Sequence, residues 1–428
     1  MSDAIAIVIF VGAYVLIATE WVHRVVVALA GAALMLLFQI VDAHDSFFSE
    51  EFGIEWNVIF LLFGMMIIVG VLRHTGVFEY LAIWSAKRAR GRPFAVMSML
   101  LLITAGASAL LDNVTTLLLV APVTILIAER LGAPATPFII AEVLASNIGG
   151  TATLVGDPPN IIIASEAGLS YLDFLVNLLP IVLILLVVFL FMARRTFASA
   201  LTFHPDRVAE VMELDEREAL LPGPLLARAL AVLGVVTLGF VLQGVLEYDP
   251  AVVALIGAGV LLLVARGDPD KYLAEVEWHT LAFFIGLFVM VGALVKTGVI
   301  EDLAGWVIDV TGGDLFAATM LILVVSAILS AIVDNIPYVA TMAPLVGQLA
   351  ATLPGDTTVL WWSLALGADL GGNATSIGAS ANVVALGVAE RAGLKIRFGA
   401  YLRYGLPVTL VTVALSGVYL WLRYFVLA

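Results

Sequence analysis

The sequence predicts an all-α polytopic membrane protein built from two inverted-topology repeats of five spans. Each repeat carries a re-entrant helical hairpin and a broken helix. Three observations predict this. The 428 residues are 62% hydrophobic and only 13% charged, whereas a soluble globular chain carries about 25% charged residues. Apolar runs of about 20 residues recur from end to end, the length that crosses a bilayer as a helix. One half of the chain repeats the other, and the basic residues fall in alternating loops.

The repeat is read by register. EWNVIFLLFGMMIIVGVLRHTGVFE (55–79) aligns with EWHTLAFFIGLFVMVGALVKTGVIE (277–301), an offset of 222. The same offset, without a gap, pairs Asp112-Asn113 with Asp334-Asn335 and Ala121-Pro122 with Ala343-Pro344. It continues through Gly149-Gly150, Thr153, Gly156 and Asn160, matched by Gly371-Gly372, Thr375, Gly378 and Asn382. Chance similarity of membrane helices does not hold one register for so long.

The first unit is 1–195. Its opening stretch, MSDAIAIVIF, lacks the basic start of a signal peptide and reads as the first span. The unit holds the hairpin 93–130 and the broken span 136–165. A linker, 196–227, follows. Most of it is HPDRVAEVMELDEREALLPGP (204–224), the longest polar stretch in the chain, with a short surface helix expected. The second unit is 228–428, with hairpin 315–352 and broken span 358–390.

Orientation follows from Lys and Arg, which favour the cytoplasmic side. One threading places the basic residues inside and leaves only Lys296 and Arg423 outside, of 20 in all. It puts both termini outside and the linker in the cytoplasm, in a cell (inner) membrane. It works only if each hairpin enters and leaves on one side. An odd number of crossings per unit then inverts the second copy, an arrangement common in secondary transporters.

Composition narrows the chemistry. There are no cysteines, so disulfides, thiolate metal sites and thiol nucleophiles are excluded. A net charge of −14 speaks against nucleic acid. The lipid bilayer and a small inorganic ion or solute remain as partners, and no cofactor is called for beyond Na+ or H+ as coupling ion.

Four polar motifs interrupt the apolar chain: ALLDNVTT (109–116), SNIGGTATLVGDPPN (146–160), AIVDNIPY (331–338) and ADLGGNATSIGASAN (368–382). Irregular backbone at membrane depth is tolerated only where protein or a water-filled cavity satisfies its polar groups. Broken helices offer free amides at one end and free carbonyls at the other. Two hairpin tips and two broken spans are therefore expected together near the midplane. Pro158 and Pro159 are expected to delay the restart of the helix.

The candidate ion- and substrate-binding residues are Asp112, Asn113 and Thr115 at one tip and Asp334 and Asn335 at the other. The broken spans add Asn147, Gly149, Gly150, Thr151, Thr153, Asp157 and Asn160, and Asp369, Gly371, Gly372, Asn373, Thr375 and Asn382. Glu142, five residues before Asn147, is a further coupling candidate. Na+ would sit at Asp112, Asn113, Asp334 and Asn335. No Lys or Arg falls inside the four motifs, and a buried carboxylate is usually protonated, paired or bound to a cation. An acidic pocket suits Na+, H+ or a neutral solute. Other roles stay open: Asp112 and Asp334 as helix caps, Asp157 as a turn residue opposite Ala379, Asn160 and Asn382 as backbone braces. Glu55-Trp56 and Glu277-Trp278 read as interfacial anchors, and His23 and His74 as surface residues.

These motifs resemble the ion transporter superfamily, in particular its P-protein and arsenical-pump branch, near NhaD-type antiporters. The likeness spans nearly the whole chain. It implies two inverted repeats, re-entrant hairpins, a homodimeric scaffold and a moving transport domain, an elevator mechanism. Dicarboxylate-transporting relatives carry Ser-Asn-Thr at the hairpin tips, where this chain has Asp112-Asn113-Val114-Thr115 and Asp334-Asn335-Ile336-Pro337. The expectation is a secondary active transporter, not an enzyme, with Na+/H+ antiport through Asp112 and Asp334. Proton-driven arsenite or antimonite efflux and Na+-coupled citrate or dicarboxylate transport are the alternatives, and an ion channel is a remote one. An intramembrane aspartyl protease is remoter still, because Leu366-Gly367-Ala368 before Asp369 breaks the Gly-x-Gly-Asp signature.

Overall fold

Eighteen helices of ten or more residues are present among the described residues of the computed structural model, which are 2–19, 21–49, 51–198, 201–202 and 205–427. Linker positions 199, 200, 203 and 204 lie outside the described residues, as does position 50. Nine helices belong to the first half: α1 (Ser2–Thr19), α2 (Arg24–Leu37), α3 (Trp56–Arg73), α4 (Val77–Arg88), α5 (Pro93–Leu110), α6 (Asn113–Arg130), α7 (Ala135–Gly150), α8 (Pro158–Ala167) and α9 (Tyr171–Thr196). Nine belong to the second: α10 (Leu225–Val241), α11 (Pro250–Ala265), α12 (Trp278–Lys296), α13 (Val299–Thr311), α14 (Leu315–Ser330), α15 (Asn335–Thr352), α16 (Thr358–Gly371), α17 (Ser380–Arg391) and α18 (Phe398–Trp421). No strand occurs among the described residues. Each helix of the first half thus has a partner nine places later.

Local chemistry sets the boundaries. Gly76 and Gly298 adopt the left-handed conformation at equivalent turns, opening α4 and α13. Pro93 begins α5, where a missing amide costs nothing. Ser170 and Asp173 form a reciprocal capping box at the start of α9. One expectation is corrected here. Pro158 and Pro159 do not delay the helix but form the first turn of α8, because the amides of a first turn have no intrahelical acceptor.

Seven helices (α1, α3, α5, α6, α9, α12 and α18) are long and apolar enough to cross a membrane, among the described residues. An eighth span results if α13 and α14, bent by 117°, are one span. The apolar α2, α10 and α11 are shorter; at 1.5 Å per residue α2 is about 21 Å long. The chain is a multi-pass membrane protein, as its composition predicts.

The two halves interlock. α2 packs on α12, and its counterpart α11 packs on α3. Small residues make these contacts close, as in membrane helix pairs generally. A Cβ on Gly286 would lie 2.6 Å from the carbonyl carbon of Ala28, and one on Gly64 would lie 2.8 Å from that of Ala254. Beside this group lie the hairpins α5–α6 and α14–α15, paired with the broken helices α7–α8 and α16–α17. α8 packs against α15 and α17 against α6, so each broken helix ends on the other half's hairpin.

Candidate functional site

The two breaks are built alike. A Cβ on Gly149 would lie 2.5 Å from the Cα of Ala105, and one on Gly371 would lie 2.6 Å from that of Ala327. Glycine there lets each broken helix touch its hairpin backbone to backbone. Ser108 Oγ donates to the carbonyl of Ser146 at 2.7 Å, and Ser330 Oγ to that of Ala368 at 2.6 Å. Thr153 and Thr375 donate to the carbonyls of Ala109 and Ala331 at 2.5 and 2.6 Å. Asn160 donates to the carbonyls of Gly150 (3.4 Å) and Thr153 (3.1 Å), and Asn382 to those of Gly372 (2.7 Å) and Thr375 (2.8 Å). Gly150 and Gly372 abut Gly156 and Gly378 across these turns. Asn160 and Asn382 are the braces that hold each unwound segment.

Four helix N-termini point into the space between the halves: α6, α8, α15 and α17. Asp112, Asp157 and Asp334 stand at the cap positions of the first three, and Ala379 at the fourth. Asp112 accepts from the Thr115 amide at 2.7 Å, with the Thr115 side chain beside it. Asp334 accepts from the Ile336 amide at 3.0 Å.

Asp157 is the hub. Its carboxylate, 1% exposed, accepts from Asn113 Nδ2 at 2.6 Å and from Asn335 Nδ2 at 3.4 Å, so it joins both hairpin tips. It lies within electrostatic reach of Asp369, Asp334 and Asp112. Asn113 also donates to Asn147 Oδ1 at 3.1 Å, and Asn147 Nδ2 donates to Asn373 (3.0 Å) and Asn382 (2.9 Å) of the other half. Asn373 donates to the carbonyl of Leu144 at 3.5 Å. Amides from both halves thus form one buried chain around one carboxylate.

Asp369, fully buried, is flanked by the side chains of Thr151 and Asn160, yet neither carboxylate oxygen has a hydrogen-bond partner. Thr151 Oγ1 donates instead to the carbonyl of Asn147 at 2.8 Å. The Asn113 Oδ1 atom is also buried without a partner. Glu142 stands apart from the network. It accepts from Thr124 of α6 at 2.6 Å, and its second oxygen is buried and unpartnered. No group of three or more His, Asp or Glu side chains is arranged for a metal among the described residues.

Two features escaped the sequence. Arg24, the first residue of α2, donates to Ser380 Oγ at 2.6 Å and to Asp334 Oδ2 at 3.2 Å. The acidic motifs therefore do not make a pocket free of cations; a helix outside them supplies one. Glu277, read as an interfacial anchor, lines an inner cavity with Arg24, Asp112 and Thr280. Its counterpart Glu55 accepts from Ser165 Oγ at 2.9 Å. The signal for Arg24 was present, a charge at the head of the apolar run VVVALAGAALMLL. It was masked because the register changes there. Gly31 meets Met290 as Gly257 meets Ile68, which makes Pro250 the equivalent of Arg24.

Residues 14–367 match the signature of the citrate transporter family. The chain belongs to the citrate transporter family. An uncharacterized transporter of Mycobacterium tuberculosis is 57% identical over 427 residues, covering 99% of both chains. A 46 kDa membrane protein of Mycobacterium leprae is 52% identical over 428 residues. The human P protein is 36% identical, covering 97% of this chain and 59% of its own length. This agrees with the resemblance to the P-protein branch of the ion transporter superfamily. The crystal structure of the Alcanivorax borkumensis YdaH transporter, described as having an unusual topology, shares the fold with a TM-score of 0.59 at 14% identity over 85% of each chain. This citrate transporter family member is a secondary membrane transporter whose surroundings are lipid and whose cargo is a small solute.

Proposed function

We propose that the protein exchanges protons for a small cation, Na+ in the first instance, with Asp157 as the exchange carboxylate. The observation that carries this reading is the fixation of both hairpin tips on that one buried group. Amide donors alone do not offset a full charge at membrane depth, which costs at least about 2.5 kcal/mol. A proton or a cation does. Asn113 Oδ1 and both Asp369 oxygens are buried without hydrogen-bond partners beside Asp157, and such oxygens are the ligands that a hard cation takes. Because Asn113 and Asn335 hold the same carboxylate, its occupancy acts on both hairpins together. Loading would favour their joint movement against the group of α2, α3, α11 and α12, an elevator step. Asp112 and Asp334 become outer carboxylates that shape the field.

The same geometry disfavours a bare anion. Two of the four converging N-termini are capped by Asp112 and Asp334, and Asp157 stands at the head of a third, so the chain's own carboxylates occupy the place a substrate carboxylate would take. The family's citrate and the cation of Arg24 favour a second reading, in which citrate enters together with Na+ that offsets its charge.

Proteoliposomes separate these. A Na+ gradient should drive proton flux in the parent protein, and Asp157→Asn should reduce that flux to the level of empty vesicles. Unchanged flux in Asp157→Asn removes the assignment. Uptake of labelled citrate, with Na+ dependence, selects the second reading, and arsenite flux in the same assay selects neither.

A further inference from the structure

Two spaces meet at Arg24. An open vestibule of about 360 Å³ is lined by His23, Arg24, Asp334 and Ser380. An inner cavity of about 20 Å³, room for one water, is lined by Arg24, Asp112, Glu277 and Ser380. Arg24 and Ser380 belong to both, so they form the wall between them. Arg24 Nη1 donates to Ser380 Oγ and to Asp334 Oδ2, and Ser380 Oγ donates to Asp334. Arg24 stands on α2, which packs on α12; Ser380 and Asp334 stand on the broken helix and hairpin of the second half. One ion pair therefore closes a seam between two bodies. Tyr14 of α1 adds a second contact across that seam, to the Pro337 carbonyl and to Thr341.

The lock is built once. The position equivalent to Arg24 is Pro250, so the first half presents no guanidinium to Asp112 from α11. A guanidinium is always charged. It satisfies Asp334 with the kind of charge that a mobile cation would bring, but it is tied to the chain.

We infer that Arg24 is a tethered cation that closes the vestibule by occupying Asp334, and that the seam opens when a mobile cation takes Asp334 from it. This rests on the cation-exchange reading above, but its test does not need that reading to hold. The chain has no cysteine, so Thr280→Cys places a single thiol in the inner cavity. Its modification by a membrane-impermeant thiosulfonate reports the wall directly. Arg24→Gln should speed that modification at least tenfold, Asp334→Asn should do the same, and Arg24→Lys, which keeps the charge, should stay near the parent rate. The parent should itself label faster as Na+ is raised.

Equal rates in the parent, Arg24→Gln and Asp334→Asn overturn the lock. Size-exclusion profiles identify a variant that misfolds, and the other variant then decides. Fast labelling in both variants, with no Na+-driven proton flux in the parent, keeps the lock and removes the cation-exchange reading instead.

Discussion

Asn147 shows what one side chain does at the centre of this molecule. Its oxygen accepts from Asn113 of its own half, and its nitrogen donates to Asn373 and Asn382 of the other. No apolar group can replace it, because each partner is itself buried. Asn147→Ala leaves at least one buried donor without an acceptor, at about 1–3 kcal/mol for such a group. The variant should unfold earlier in detergent melting curves, while Asn57→Ala, outside the network, should not. The sequence exposes the residue types here but not their ranks. Asp112 and Asp334 recur in both halves and so draw attention, yet they stand at helix caps beside the centre. Asp157 has no acidic counterpart, and it is the one carboxylate that both tips share. A repeat argument favours what is symmetric, whereas one central carboxylate can be supplied from only one half.

At the scale of elements, the breaks and hairpins were legible because glycine and polar runs punctuate long apolar helices. Their contacts were less so, since a close backbone approach leaves only a glycine as its mark. Gly149 and Gly371 carry equivalent contacts. Gly149→Ala and Gly371→Ala should therefore destabilise by similar amounts, about 1–3 kcal/mol each for overpacking. A large difference in the midpoints of chemical unfolding would show that the two breaks are not mechanically equivalent. The linker offers a separate test. Lys87 Nζ donates to Glu216 at 2.5 Å and to the Leu214 carbonyl at 3.0 Å. This contact with Lys87 holds the Glu216 carboxyl below the usual glutamate range. A depressed carboxylate contributes above its unfolded value, near pH 4.3, and the contribution is lost as pH falls through the folded value. Protease cleavage of the 205–224 linker should rise as pH falls through the region below about 4.3. In Lys87→Met the linker should already be cleaved readily at neutral pH, and that acid-dependent rise should shrink.

For the whole molecule, duplication is the feature the sequence carries most openly, and the structure repeats it down to single hydrogen bonds. The exchange between halves is not written in any one segment. That α2 packs on α12 and α11 on α3 depends on contacts far apart in the chain, and a change of register between α2 and α3 hides even the equivalence of Arg24 and Pro250. Orientation across the bilayer is a further property that helix packing alone does not carry, because it needs the membrane as a reference. The distribution of Lys and Arg supplies that reference, and it predicts that the halves face opposite ways. Arg88 and Val310 make the prediction concrete. They are exposed, they end or nearly end the equivalent helices α4 and α13, and they lie at the same offset of 222 as the rest of the repeat. In a chain free of cysteine, Arg88→Cys and Val310→Cys each give one reportable thiol. With an impermeant maleimide applied to sealed right-side-out vesicles, Cys at 310 should label at once and Cys at 88 only after permeabilisation. In inside-out vesicles the order should reverse. Labelling of both from one side would mean that the halves run parallel, and the two breaks would then have to serve one pathway from the same face.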